Sequence, residues 1–248
     1  MIVSHKYKFI FIKTRKTGGT SLEIALSKFM GQDDIITPIT REDENTRLSK
    51  GFVSKQNYWK RPRELEMRDL GEVLRRARGK LRGKRAMSSG LWPMKFYNHI
   101  PAHLVRERIG MEIWNRYHKF SIERNPWDAS VSLYFWLNGS RPGKDHAEGF
   151  KRFVLTGAAR GGSNYDLYSI DGVPALDFVA RYESLEADLA KISSSVGLPE
   201  NVYDTMKEIR AKSQYRKNRN YKDMYDDETK SAIAEEFARE IELFNYTF

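Results

Sequence analysis

The chain has 248 residues, with 43 lysines and arginines against 33 aspartates and glutamates, for a formal net charge of +10. Hydrophobic residues make up 40% and aromatics 12%, which describes a folded chain rather than a disordered one. There is no cysteine, so a disulfide framework, a thiolate zinc site and a thiol nucleophile are excluded. The charge favours an anionic partner (a nucleotide, a nucleic acid, an acidic glycan or a membrane surface) without choosing among them. No run approaches the ~18 apolar residues of a membrane span. Phe9-Ile10-Phe11-Ile12 stops at Lys13, too short for the apolar core of a signal peptide, and a cytoplasmic location is expected.

In chain order, residues 7–13 are aromatic and β-branched and predict a strand. Gly18-Gly19 turns the chain into a helix over 20–29, with Leu22, Ile24, Ala25 and Phe29 at core spacing. Residues 31–95 are charged and contain Arg75 to Arg85, with seven basic residues and no acid. That run reads equally as a solvated surface or as a docking face for an acidic substrate. A helix is predicted over 99–116 and a strand over 119–124. A second helix over 129–137 comes next, with Asp128 as its N-cap. A strand over 176–182, a helix over 183–196 stopped by Gly197 and Pro199, and a helical tail over 226–244 complete the chain. Strands alternating with helices predict an α/β fold with a parallel β-sheet flanked by helices.

Chemistry first shows at Arg15-Lys16-Thr17-Gly18-Gly19-Thr20-Ser21. A strand feeding a glycine turn and a helix offers peptide N–H groups and the helix dipole to a phosphate. The nucleoside triphosphatase signature places its lysine after the glycines, whereas Lys16 precedes them. A second segment, Phe120-Ser121-Ile122-Glu123-Arg124-Asn125-Pro126-Trp127-Asp128, ends a strand on an arginine and continues to Ser132 on the next helix. A guanidinium fork and a hydroxyl suit one anion together.

The first segment resembles the 5′-phosphosulfate loop of the sulfotransferases that use 3′-phosphoadenosine 5′-phosphosulfate (PAPS), with Arg15 where that pattern has proline. The second is similar to the family's 3′-phosphate segment. Arg181-Tyr182-Glu183-Ser184-Leu185 resembles its adenine-contacting segment, and the tail from Tyr221 to Phe248 is similar to carbohydrate-type members, including the uronyl 2-O-sulfotransferase group. The resemblance implies a P-loop-type, three-layer α/β/α fold in one domain over 1–248, with a variable basic insertion at about 31–95. It implies PAPS as donor, its bisphosphate PAP as product, and no required metal. The acceptor it implies is a hydroxyl, of a carbohydrate or acidic glycan.

Residue by residue, it implies that Arg15, Lys16, Thr17, Gly18, Gly19, Thr20 and Ser21 hold the 5′ end, and Arg124 and Ser132 the 3′-phosphate. Tyr182 would meet the adenine, and Ser213 and Arg216 would close over the nucleotide, with Arg219 a weaker candidate. Lys16 would meet the leaving oxygen, and His99 would be the general base, with His103 second and Glu64 or Glu66 as carboxylate alternatives. Two other readings compete. A P-loop kinase-like phosphoryl transferase would need a magnesium-holding acid after a second apolar strand. A nucleic-acid-binding protein would be built on Arg75–Arg85, but the chain shows no recognisable nucleic-acid module and none is expected as a partner.

Overall fold

The computed structural model describes residues 1–67, 69–71, 73–74, 92–139, 146–209 and 220–248. The strands are β1 (Ile2–Ser4), β2 (Phe9–Phe11), β3 (Ile35–Ile36), β4 (His118–Glu123), β5 (Ser169–Ile170), β6 (Val173–Pro174) and β7 (Phe178–Arg181). Five of them form one sheet in the order β3-β1-β2-β4-β7, and β5 pairs with β6 apart from it. The helices that position the site are α1 (Gly19–Leu26), α2 (Arg41–Ser49), α3 (Ala102–Ile109), α4 (Met111–Arg116), α5 (Pro126–Asn138), α6 (His146–Leu155) and α7 (Tyr165–Tyr168). They are followed by α8 (Leu185–Ser195), α9 (Val202–Lys207), α10 (Asp227–Glu236) and α11 (Ala238–Phe244). No described helix is long and apolar enough to cross a membrane.

The α/β expectation holds, but the sheet is mixed rather than parallel. β2, β4 and β7 run parallel, whereas β1 is antiparallel to both β2 and β3. The reason is the short link at residues 5–8, which allows only a reversal. β1 and β3 are three and two residues long, too brief to give a periodic signal. β3 and α2 lie within the 31–95 segment, and β3 extends the sheet by pairing Ile2 with Ile36.

Alternation along the strands explains the layers. Phe9, Phe11, Phe120 and Ile122 point to one face, where Leu22 and Ala25 of α1 and Leu185, Leu189 and Ile192 pack. Ile10 and Ile12 point to the other, against Ile100, Ala102, Val105 and Trp114. Helices therefore cover both faces. A third core joins α5, α6 and α10 through Val131, Phe150, Ile233 and Phe237. Three helix expectations shift for local reasons. The helix over 99–116 breaks at Gly110, whose φ of 88° is left-handed. The C-terminal helix breaks at Phe237, between α10 and α11. The N-cap of α5 is Asn125, whose side chain accepts from the N–H groups of Trp127 and Asp128. Asp128 does not cap, because its carboxylate is drawn to Arg124.

One charged cluster is sealed inside. Lys13 Nζ lies 2.7 Å from Glu23 Oε2, with both side chains buried. Glu23 Oε1 is 3.1 Å from the Met1 amino group and 3.9 Å from Arg47, which also donates to Glu44 at 2.7 Å. Burial by itself would raise the Glu23 carboxyl, but Lys13, the amino group and Arg47 outweigh it and hold it down at about 2. A depressed carboxylate contributes stability above its unfolded value near 4.5 and loses it as pH falls toward 2. Glu23→Ala leaves Lys13 buried without its counter-charge, while Arg47 keeps Glu44, and should cost about 3–5 kcal/mol. Urea denaturation at pH 7 measures the loss, which should shrink as the pH is lowered toward 2.

Candidate active site

Because β2, β4 and β7 are adjacent and parallel, their carboxyl ends open along one edge of the sheet. Each of these strands runs directly into a segment with anion-binding residue types: residues 12–18 after β2, Arg124 after β4 and Tyr182 after β7. Ligands of open α/β sheets sit at this edge, where helix starts and loops converge.

The loop after β2 is stapled to β4. The Thr14 hydroxyl donates to the Ile122 carbonyl at 2.5 Å and pairs with the Thr17 hydroxyl at 2.9 Å. Ser121 Oγ donates to the Ile12 carbonyl at 2.7 Å. Thr17 is fully buried, so its hydroxyl shapes the loop from within. Lys16, at φ 59°, and Gly18, at φ 74°, are both left-handed. For a lysine that costs on the order of 1–2 kcal/mol, so the surroundings must hold it there. Gly18 is the N-cap of α1 and brings no side-chain oxygen, which keeps a competing acceptor out of the place where an anion meets the helix start. A Cβ on Gly18 would come within 3.2 Å of Met206 Cε and 3.5 Å of Tyr182. A Cβ on Gly19 would press on Lys13 Cγ at 3.1 Å. Thr20 is half-buried and Ser21 buried in the first turn of α1.

Arg124 joins the three strand ends. It is 8% exposed. Its Nη1 donates to the Lys16 carbonyl at 3.0 Å, and its Nε donates to Asp128 Oδ2 at 2.7 Å, with Nη2 2.6 Å from the same oxygen. The guanidinium lies 4.2 Å from the centre of the Tyr182 ring. Three of its five N–H groups are thus spent on protein, and two remain for a ligand. Asp128, Ser132 and Trp136 succeed one another at four-residue spacing on α5. Asp128 holds Arg124, and the Trp136 ring lies 5.3 Å from Lys16 Nζ. Ser132 therefore falls between the residues that hold the two cations.

His99 meets the loop at its base. Its Nδ1 is 3.1 Å from the Lys13 carbonyl. A carbonyl only accepts, so Nδ1 carries the hydrogen and Nε2 keeps its lone pair. Burial, then the charges of Lys13, the amino terminus and Arg15, push the imidazole down to about 3, against the backbone bond. His99 is also left-handed, at φ 57°. Burial likewise lowers the Arg15 guanidinium, which donates to the Ser163 carbonyl at 3.1 Å.

Other candidates lie elsewhere. His103 is exposed and lines a shallow cavity with Arg106, Glu107 and Asp171. Glu64 is held by Lys95 at 2.6 Å, and Glu66 lies 3.6 Å from Lys60. Ser213, Arg216, Arg219 and the basic run 75–85 fall outside the described residues. The described residues hold no cluster of three His, Asp or Glu side chains placed for a metal. Sequence reading missed Asn164, whose side chain bonds both ends of the Arg15 residue, N–H at 2.8 Å and C=O at 3.1 Å. It also missed Asp128 and Trp136 as supports of the two cations. Asn164 carried no signal because it comes after an ordinary Gly-Gly-Ser loop, whereas the i, i+4 series on α5 could have been found from its spacing.

The fold and site define an α/β protein with a cation-lined edge built from three parallel strand ends and a glycine-entered helix. No family model matches the chain. It belongs to the same family as an uncharacterized protein of Archaeoglobus fulgidus, to which it is 33% identical over 121 residues, 48% of this chain and 98% of that protein.

The geometry at His99 sets an expected observation. In ¹⁵N-resolved NMR the His99 ring should stay neutral, as the Nδ1–H tautomer, from pH 8 down to about 4, and take up a proton only toward pH 3. A charged imidazolium at pH 6 would contradict the burial and the Lys13 contact.

Proposed function

We propose that the protein is a PAPS-dependent sulfotransferase of P-loop-type fold, moving a sulfuryl group to a hydroxyl acceptor of the carbohydrate class. The observation that carries this reading is the meeting of three separate sequence segments at one strand edge: the Lys16–Ser21 loop, Arg124 and Tyr182. A donor with anions at both ends needs a loop for one end and a fixed cation for the other.

In this reading the start of α1 receives the 5′-phosphosulfate on its peptide N–H groups, and the glycines bring no side-chain oxygen of their own to compete with it. Arg124 offers its two remaining N–H groups, and Ser132 a hydroxyl, to the 3′-phosphate. Tyr182, 37% exposed, presents a ring beside them for the adenine. The acceptor oxygen attacks sulfur in line as the bond from sulfur to the 5′-phosphate oxygen breaks, releasing PAP. The acceptor proton goes to Nε2 of His99, and Lys16 meets the negative charge that grows on the departing oxygen. His99 is a weak base in the free protein, since burial and nearby cations hold it down, and the charge of a bound donor raises it. Arg124 is already neutralised by Asp128, so it works as an oriented donor more than as an unpaired charge.

Isothermal titration with PAP tests the reading. Binding without magnesium supports it, while binding of ATP that requires magnesium supports phosphoryl transfer instead. Lys16→Ala should lower turnover at least ~100-fold, as the loss of one transition-state donor does, with PAP affinity changed far less. Arg124→Ala should chiefly weaken PAP, by roughly tenfold or more. Near-normal turnover of Lys16→Ala would remove the leaving-group role.

A further inference from the structure

Arg15 stands where the resembling loop pattern has proline, and a proline has no peptide N–H to donate. In this chain that N–H is used. It donates to Asn164 Oδ1 at 2.8 Å, while Asn164 Nδ2 donates to the Arg15 carbonyl at 3.1 Å and to Glu123 Oε1 at 3.1 Å. Asn164 is 2% exposed and opens α7, yet its side chain makes no cap there because it is committed to the loop. Glu123 Oε1 also accepts from the Arg124 N–H at 3.0 Å. One run of hydrogen bonds therefore links Arg15, Asn164, Glu123 and Arg124, the two sides of the anion edge.

The other oxygen of Glu123 is unusual. Oε2 is buried and makes no well-formed hydrogen bond among the described residues, nor does the Tyr168 hydroxyl, although the two side chains lie close enough to interact. A bare, buried carboxylate oxygen is costly, whereas a carboxylic acid places its proton on that oxygen and keeps Oε1 as the acceptor. The groups facing Glu123 agree. From α7 comes Tyr168, itself raised by burial and by the charge of Glu123. From α11 comes Glu240, whose Oε1 accepts from Ser163 Oγ at 2.7 Å, and from the C-terminal tail comes Tyr246. On its own segment Arg124 is neutralised by Asp128, and the Arg15 guanidinium turns to the Ser163 carbonyl. Burial, against the bonds from Arg124 and Asn164 and the contact with Tyr168, and with the help of Glu240, holds the Glu123 carboxyl up at about 8.

We infer that Asn164 and Glu123 are a positioning pair that sets the anion loop at Arg15 and couples its grip on an anion to the protonation of Glu123. This rests on the sulfotransferase reading. Asn164 fixes the Arg15 peptide so that Lys16 and Gly18 keep their left-handed turn. Glu123 in its acid form supports Asn164 without placing a negative charge behind the ligand. When Glu123 ionises, that charge stands one side chain away from the loop, and the anion is held less well.

The test is PAP titration of the full chain at pH 7.5 and 9. Wild type should lose about fivefold more affinity across this interval than Glu123→Gln, which keeps the acid's shape and cannot ionise. The comparison cancels ionisation of the ligand itself. Asn164→Ala should bind PAP roughly tenfold more weakly at both values while retaining its melting transition. Equal pH dependence in wild type and Glu123→Gln overturns the coupling, and wild-type affinity in a folded Asn164→Ala overturns the positioning role. If Asn164→Ala does not fold, the isosteric Glu123→Gln decides. A wild type that binds no PAP at either pH overturns the functional reading, and the pair's role with it, before any variant is compared.

Discussion

Arg124 is held from three directions at once. A guanidinium that is almost wholly buried must spend most of its N–H groups on protein, because each unpaired one would lose water without replacement. Here the Lys16 carbonyl takes one, Asp128 takes two, and the Tyr182 ring lies under the plane. Those contacts belong to the loop after β2, the helix after β4 and the turn after β7. The arginine thereby sets the spacing of the strand ends as well as carrying charge, and loop, cation and aromatic ring share one edge because of it.

Two left-handed residues that are not glycine, Lys16 and His99, sit around this joint. Each is held by a hydrogen bond to a carbonyl: the Lys16 carbonyl accepts from Arg124, and His99 donates to the Lys13 carbonyl. Lys13 in turn is anchored to Glu23 in the sealed ion cluster. The strain at the loop is thus borne by buried polar contacts on both sides of the sheet. Buried polar groups on this scale favour one arrangement of the chain over its neighbours, since a shifted loop would strand Lys13, Glu23 and Arg47 together.

Asn164 and Glu123 extend the same constraint to the far side of the loop. Their placement results from α7 and α11 packing near the end of β4, which brings Glu240, Tyr168 and Tyr246 around one carboxyl. None of these side chains has a motif around it. They become a unit only through folding, and their chemistry, a buried carboxyl with one poorly partnered oxygen, is a property of that enclosure.

Much of the framework was legible in the residues. Runs of apolar, aromatic and β-branched residues that extend past the strands themselves located β2, β4 and β7, and the 3.6-residue spacing located α1, α5 and α8, because those helices are long enough to leave a period. The order of Lys16 before Gly18 and Gly19, and of Arg124 before Ser132, already marked two segments with anion-binding residue types, which the structure brings to one strand edge. Tertiary structure decided what had no local signature. The two- and three-residue strands β3 and β1 exist only by pairing, and their antiparallel direction makes the sheet mixed. Asp128 left its helix-capping role because Arg124, fixed by the sheet, lay within its reach. Short-range pattern records which face a side chain takes, while partners 108 or 149 positions away are chosen only when the strands are laid side by side.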